Sequence, residues 1–277
     1  MSSTKIIYGT AWKKERTTAL VVSAVLSGFR AIDTAGQPKH YREDLVGEAL
    51  DTLQKEYGIK REELFLQTKF TSPSGQDLTK PIPYSPSSPL QTQILTSFAS
   101  SLKNLRTTYI DSYLLHSPLR TLPETIKAWK TLMQLQDEGK VKHIGVSNTY
   151  DVQVLEALEQ HGGRRVQVVQ NRRFEGNGWD KEVLAWCKRF GVQYQSFWTL
   201  TGSPSLLSNP NIKAFARAKG CSSAQAIYRL AQLEGITPLS GTTSGKHMQD
   251  DLAVESIEID AESEGEMKDV VRWMGLS

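Results

Sequence analysis

Three residues with titratable side chains close apolar runs in this chain: Asp33 after FRAI, Lys69 after LFLQT and His116 after IDSYLL. A fourth, Tyr41, follows Asp33 by eight residues, across a turn that carries Gly36 and Pro38. A free phenol titrates near ~10, too high to exchange protons readily at neutral pH. An ammonium close by stabilises the phenolate and lowers that value. Asp33 would keep Lys69 charged and aimed, and His116 would hydrogen-bond the reacting oxygen. Together they suit a general acid acting on a carbonyl that becomes an alkoxide, with hydride from a cofactor. Singly, each has an ordinary explanation. A histidine at a strand end is commonly a hydrogen-bonded core residue, a lysine there snorkels, and Asp before Thr caps a turn. A carboxylate, an ammonium and an imidazole converging on one face are costly without a use.

The elements that must position them alternate. Strands are expected at Ile6–Tyr8, Phe29–Asp33, Leu64–Lys69, Ile110–His116, up to Gly145–Ser147, Val166–Gln170, Val192–Phe197 and Ile236–Ser240. Between them lie amphipathic stretches such as 44–57, 92–105, 123–138, 152–161, 180–190 and 223–233, and 261–273 closes the chain. Eight β/α units predict an α/β fold, a (β/α)8 TIM barrel, in one domain over residues 1–277. No GxGxxG follows a strand, which disfavours a doubly wound dinucleotide sheet. Thr71–Pro89, rich in Ser and Pro, reads as a long irregular loop and a lid. In such a barrel the site lies at the carboxyl ends of the strands. Ser147–Asn148, Gln170–Asn171, Phe197–Trp198–Thr199 and Ser240 end further strands and join the candidates.

Bulk properties exclude other classes. The 277 residues are 39% hydrophobic and 23% charged with a net charge of +3, too small and scattered for nucleic acid or a membrane surface. Cys187 and Cys221 have neither disulfide nor metal-ligand spacing, and no apolar run approaches a membrane span. A cytoplasmic protein with a small-molecule substrate, no metal, and a monomeric or weakly dimeric state is expected.

The stretches YGTAW, FRAIDTA, VGEAL, ELFLQTKF, SLKNLRTTYIDSYLLHSP, KVKHIGVSN, VVQNRRF and TPLSGTTS, in this order, resemble the aldo-keto reductase family in a short form similar to fungal-type members. The resemblance implies NADPH, with NADH possible, and reduction of an aldehyde or ketone. It implies a catalytic set of Asp33, Tyr41, Lys69 and His116. It also implies cofactor contacts from Thr10, Asp33, Ser147, Asn148 and Gln170 around the nicotinamide carboxamide. Phe197 or Trp198 would stack on the ring, and Thr199 and Leu200 would lie over the pyrophosphate. Ser240, Thr242, His247 and Asp251 would stand at the adenosine end. Trp12, His40 and His116 would face substrate, with Trp179 and Trp198 as further pocket walls.

The departures define what the structure must decide. Tyr41 follows Asp33 by eight residues instead of the family's usual five or so, so Gly36–Lys39 is expected to bulge. Counting back from Gly47 instead puts His40 in the tyrosine's register. Leu239 stands where relatives that prefer the phosphorylated dinucleotide often carry lysine, which leaves Lys246 and His247 as cations there. Two other readings keep the barrel: a nicotinamide-binding regulatory subunit, and an isomerase or cyclase using the same four residues.

Overall fold

In the computed structural model, which describes residues 5–275, eight parallel strands pair in chain order and close into a barrel. They are β1 (Ile7–Gly9), β2 (Ala31–Asp33), β3 (Phe65–Phe70), β4 (Ile110–Leu115), β5 (Val141–Ser147), β6 (Val168–Arg172), β7 (Gln193–Phe197) and β8 (Ile236–Ser240). Closure comes from β8 returning to β1, with Ile7 opposite Leu239 and Tyr8 opposite Ser240. The helices are α1 (Thr17–Ser27), α2 (Glu43–Tyr57), α3 (Leu90–Asn104), α4 (Leu122–Asp137), α5 (Val152–Gly162) and α6 (Lys181–Phe190). They continue with α7 (Pro204–Ser208), α8 (Pro210–Ala218), α9 (Ser223–Leu233), α10 (Gly245–Leu252) and α11 (Ala261–Trp273). The short α7 and α10 are the two helices not expected from periodicity. Their sequences, PSLLS and GKHMQDDL, are too short to carry an apolar stripe.

The helix ring covers the outer face of the sheet, and the main apolar core lies between the two layers. A second apolar cluster gathers Leu206, Ile212, Phe215, Leu230, Met267 and Val270 where α8, α9 and α11 meet. The helix that follows Tyr41 is firmly set. Glu43 and Asp44 complement the amino-terminal end of α2, Val46, Ala49 and Leu53 face inward, and Gly58 ends the helix at φ 69°. Gly47 is where α2 meets the end of α3, and a Cβ there would collide with the Asn104 carbonyl. That close approach fixes the depth at which α2, and the turn before it, sit against the barrel.

The barrel's centre is not filled by branched aliphatic side chains alone. Gln67, Gln170 and Gln195, all buried, form a belt of amides. Gln67 and Gln195 exchange hydrogen bonds of 2.7 and 3.1 Å, and Gln170 donates to Gln195 at 3.0 Å.

Candidate active site

Asp33 ends β2 and Lys69 is the penultimate residue of β3. Asp33 pairs in register with Gln67, so Lys69 lies one inward-facing step closer to the mouth. Both are buried. The Lys69 ammonium donates to both Asp33 oxygens at 2.7 Å and to the Thr34 carbonyl at 2.9 Å. Asp33 Oδ1 also accepts from the Gln67 and Gln170 amides, at 2.8 and 3.0 Å. Burial pushes the Lys69 pKa below its ordinary value, while the Asp33 charge pulls it back up.

Tyr41 reaches this pair. Its ring centre is 5.4 Å from Lys69 Nζ and 5.9 Å from the His116 ring, edge to face. The expected lowering of its pKa is not found. Burial raises the phenol above its ordinary value and the Asp33 charge adds to that. The expected bulge is also small. Gly36 and Gln37 are buried and only Pro38 and Lys39 are exposed. Gly36 N–H bonds the Lys69 carbonyl at 3.0 Å, the Gln76 amide bonds the Gly36 carbonyl at 2.8 Å, and Gln37 reaches the Gly75 carbonyl at 2.6 Å. Tyr41 N–H then bonds the Gln37 carbonyl at 3.0 Å, closing a helix-like turn. The extra residues are folded inward against β3.

His40, the rival in register, points elsewhere. Its ring lies 3.9 Å from that of Trp12, its Nδ1 pairs with Gln37 Oε1 at 2.8 Å, and its carbonyl accepts from Trp12 N–H at 2.8 Å. Trp12 is 65% exposed, so the pair forms one rim of the mouth. Trp179, by contrast, packs against Trp273 at 5.5 Å and joins the second apolar cluster.

His116 follows β4. Its Nδ1 pairs with the Thr71 hydroxyl at 2.7 Å, its N–H bonds the Phe70 carbonyl, and its carbonyl accepts from Asn148 Nδ2 at 2.9 Å. Burial, then the charge of Lys69, holds its pKa down to about 3, so the imidazole is neutral at physiological pH. The segment expected to be a long irregular loop is largely irregular, and its first part is tied to the barrel. Thr71 and Gln76 are buried, and the Tyr84 hydroxyl bonds the Thr71 carbonyl at 2.5 Å.

The remaining candidates line the same end of the barrel. The buried Thr10 donates from both hydroxyl and N–H to the Asp33 carbonyl. Ser147 Oγ donates to the Gln170 carbonyl at 2.7 Å, and Asn148, at φ 50°, stands beside it. Phe197 is half-buried and Trp198 is 51% exposed. Thr199 is buried and paired with Ser196 at 2.7 Å, and Leu200 is half-buried between the two apolar cores. On the β8 side, Ser240 Oγ donates to Asp251 at 2.6 Å, and burial raises that carboxyl to about 6. The Thr242 carbonyl accepts from Tyr8 at 2.9 Å, while Lys246 and His247 are exposed at the start of α10. Trp12, Asn148 and Trp198 all hold φ near +50 to +64° without being glycine, and all three follow a strand at the mouth. Such strain collects at functional sites.

Sequence reasoning missed several participants. Thr71 sits in what read as loop, and Gln67 and Gln195 read as ordinary strand residues. Lys13 is buried, donates to the Gly241 carbonyl across the β1 and β8 loops, and has its pKa pushed down to about 8 by burial. Glu43 is buried behind Lys69, accepting from Thr68 at 2.5 Å and Ser101 at 3.1 Å. Only alternation on β3 and β7 gave a signal, since Gln67 shares the face of Lys69.

A family model described as "Aldo/keto reductase family" matches residues 5–272. The chain belongs to the aldo/keto reductase family. A glyoxal reductase of Bacillus subtilis is 31% identical over 80% of this chain and 71% of its own. A methylglyoxal reductase of Escherichia coli is 27% identical over 91% and 84%. Among solved structures, an aldo-keto reductase of Bombyx mori in complex with NADP superposes with a TM-score of 0.79 at 20% identity, covering 96% of this chain and 88% of its own. As a member of this family the protein is an oxidoreductase. Among the described residues no helix is long and apolar enough to cross a membrane, and no cluster of metal-ligating side chains occurs.

Proposed function

We infer that the protein, acting as one domain over residues 1–277, reduces an aldehyde or ketone, with Tyr41 giving the proton. The observation that carries this reading is the edge of Tyr41 set against His116 with the Lys69–Asp33 pair beside it. The surroundings fit NADPH. Phe197 and Trp198 offer an aromatic platform, and Ser147, Asn148 and Gln170 offer hydroxyl and amide groups complementary to a carboxamide. Ser240, Thr242, Lys246, His247 and Asp251 would take the adenosine end. Bound there, the nicotinamide supplies hydride.

The chain's own residues do the rest. A Thr71 hydroxyl donating to His116 Nδ1 leaves the ring proton on Nε2, free to donate to the carbonyl oxygen. A neutral imidazole orients that oxygen without competing as an acid. Tyr41, whose raised pKa keeps it protonated, gives its proton as negative charge builds on the oxygen, since a developing alkoxide is a stronger base than a phenolate. Lys69 faces the phenolate that remains, and Asp33 holds Lys69 in place. Trp12 and His40 form the rim against which substrate lies. The reductase names of the similar proteins favour this reading over an isomerase or a regulatory subunit.

The test replaces Tyr41 with Phe and His40 with Gln and follows NADPH oxidation with an aromatic aldehyde. Tyr41→Phe is expected to lose about 10²–10⁴-fold in kcat while still quenching NADPH fluorescence. Full turnover in that variant, or collapse only in His40→Gln, would overturn the assignment.

A further inference from the structure

Arg172 ends β6 two residues after Gln170, on the same inward face and about 6–7 Å nearer the mouth. Its guanidinium lies 4.1 Å from the centre of the Trp198 ring and 5.7 Å from that of Phe197. No hydrogen bond or ion pair among the described residues involves its side chain, and its Nε is shielded from solvent without a partner. Arg173 and Arg229 also have shielded nitrogens without a partner among the described residues, but Arg173 is fully buried beside Asp180 and Tyr194, whereas Arg172 is half-buried at the mouth. A stacked guanidinium keeps its N–H edge directed outward in a fixed plane. A donor buried without an acceptor is unfavourable unless something completes it.

The backbone that carries this cation is tied to the reacting centre. The Tyr150 hydroxyl accepts from the Arg172 backbone N–H at 3.1 Å and donates to Asn148 Oδ1 at 3.3 Å, and Asn148 Nδ2 donates to the His116 backbone carbonyl at 2.9 Å. Trp198, which carries the stack, is held at φ 63° with half its surface open. Asn177 fixes the Arg172 carbonyl at 2.7 Å, so the backbone beneath the guanidinium is clamped from both sides.

Resting on the carbonyl-reductase reading, we propose that Arg172 is an anion-recognition residue at the mouth of the site, taking carboxylate or phosphate oxygens presented by a molecule bound over Tyr41 and His116. Two sources share that chemistry: a carboxylate on the substrate, and a phosphate of the dinucleotide. The planar fork favours two parallel hydrogen bonds to such a group.

The experiment compares wild type, Arg172→Met and Arg172→Lys in two arms. One measures the dissociation constant of NADPH by fluorescence without a carbonyl compound. The other measures the ratio of kcat/KM for 4-carboxybenzaldehyde to that for benzaldehyde. Arg172→Met is expected to change one of these by at least tenfold, with Arg172→Lys between it and wild type, because lysine keeps the charge and loses the fork. A fall in the ratio assigns the cation to a substrate carboxylate, and a weaker NADPH complex assigns it to a dinucleotide phosphate. Both quantities within twofold of wild type would overturn the proposal. A wild-type protein that turned over neither aldehyde would sink the carbonyl-reductase reading separately. The carboxylate arm would then be read as benzoate binding by tryptophan fluorescence.

Discussion

Lys69 stands with its ammonium 5.4 Å from the centre of the Tyr41 ring, yet every hydrogen bond it makes goes to Asp33 or to the Thr34 carbonyl. An ammonium has three donors, and three acceptors already surround this one. Lys69 therefore has no hydrogen bond left for the Tyr41 phenol, and its charge is already matched by that of Asp33.

Breaking the pair from one side should cost more than removing it. Lys69→Met leaves Asp33 buried and uncompensated, and such single deletions destabilise by about 3–5 kcal/mol. The double variant Lys69→Met/Asp33→Asn should recover a large part of that loss. Denaturant unfolding of the wild type, both single variants and the double variant measures it; equal stability of the Lys69 variant and wild type would contradict the buried pairing.

Thr71 should matter to catalysis although it touches no reacting atom. Thr71→Val removes the partner of His116 Nδ1 at nearly constant volume. The expected result is a roughly fivefold lower kcat, the order of one neutral hydrogen bond of about 1 kcal/mol, with Thr71→Ser restoring most of it. A Thr71→Val enzyme with unchanged kcat would leave the imidazole orientation without its proposed support.

His116 also predicts how stability depends on acid. Its folded pKa, about 3, lies below the value near ~6.5 of a free imidazole. As pH falls below ~6.5 the unfolded chain takes up this proton and the folded chain does not, so this group's contribution to stability declines towards pH 3. The slope is at most about 1.4 kcal/mol per pH unit. His116→Gln should flatten the fall in unfolding free energy between pH 6.5 and 4 relative to wild type. Parallel curves would show that the imidazole titrates normally.

At the far end of the site, Lys246 and His247 are exposed beside Ser244 and Thr242, and Leu239 brings no charge. Replacing both with Ala should weaken NADPH about tenfold and NADH by less than twofold, as loss of charge-assisted phosphate contacts implies. Equal weakening of both dinucleotides would place the phosphate contact elsewhere.

The barrel was legible because its eight units repeat a strand, a turn and an amphipathic helix, and each strand ended within about two residues of where its apolar run stopped. Asp33, Lys69 and His116 were legible for the same reason, since polar residues closing apolar runs stand out. Tyr41 was less so. Its position depends on Gly36 and Gln37 folding inward, held by bonds to Lys69, Gly75 and Gln76 that no local pattern encodes. The bond from Thr71 to His116 and the packing of Trp179 in the second apolar cluster were not legible, because an isolated hydroxyl or indole carries no sign of its neighbours. The direction of the Tyr41 pKa shift was missed because burial, its largest cause, is a property of the packed molecule.

The amide belt across the barrel has one further consequence. A glutamine side chain can be turned end for end with little change of shape, so three in mutual contact have no preferred sense by themselves. Asp33, as an ionised carboxylate, only accepts. It compels Gln67 and Gln170 to present their nitrogens, and they in turn fix which end of Gln195 each meets. Asp33 thus gives the whole interior a direction, from β2 across to β6 and β7. Removing its charge would let donors and acceptors on opposite walls of the barrel exchange places together.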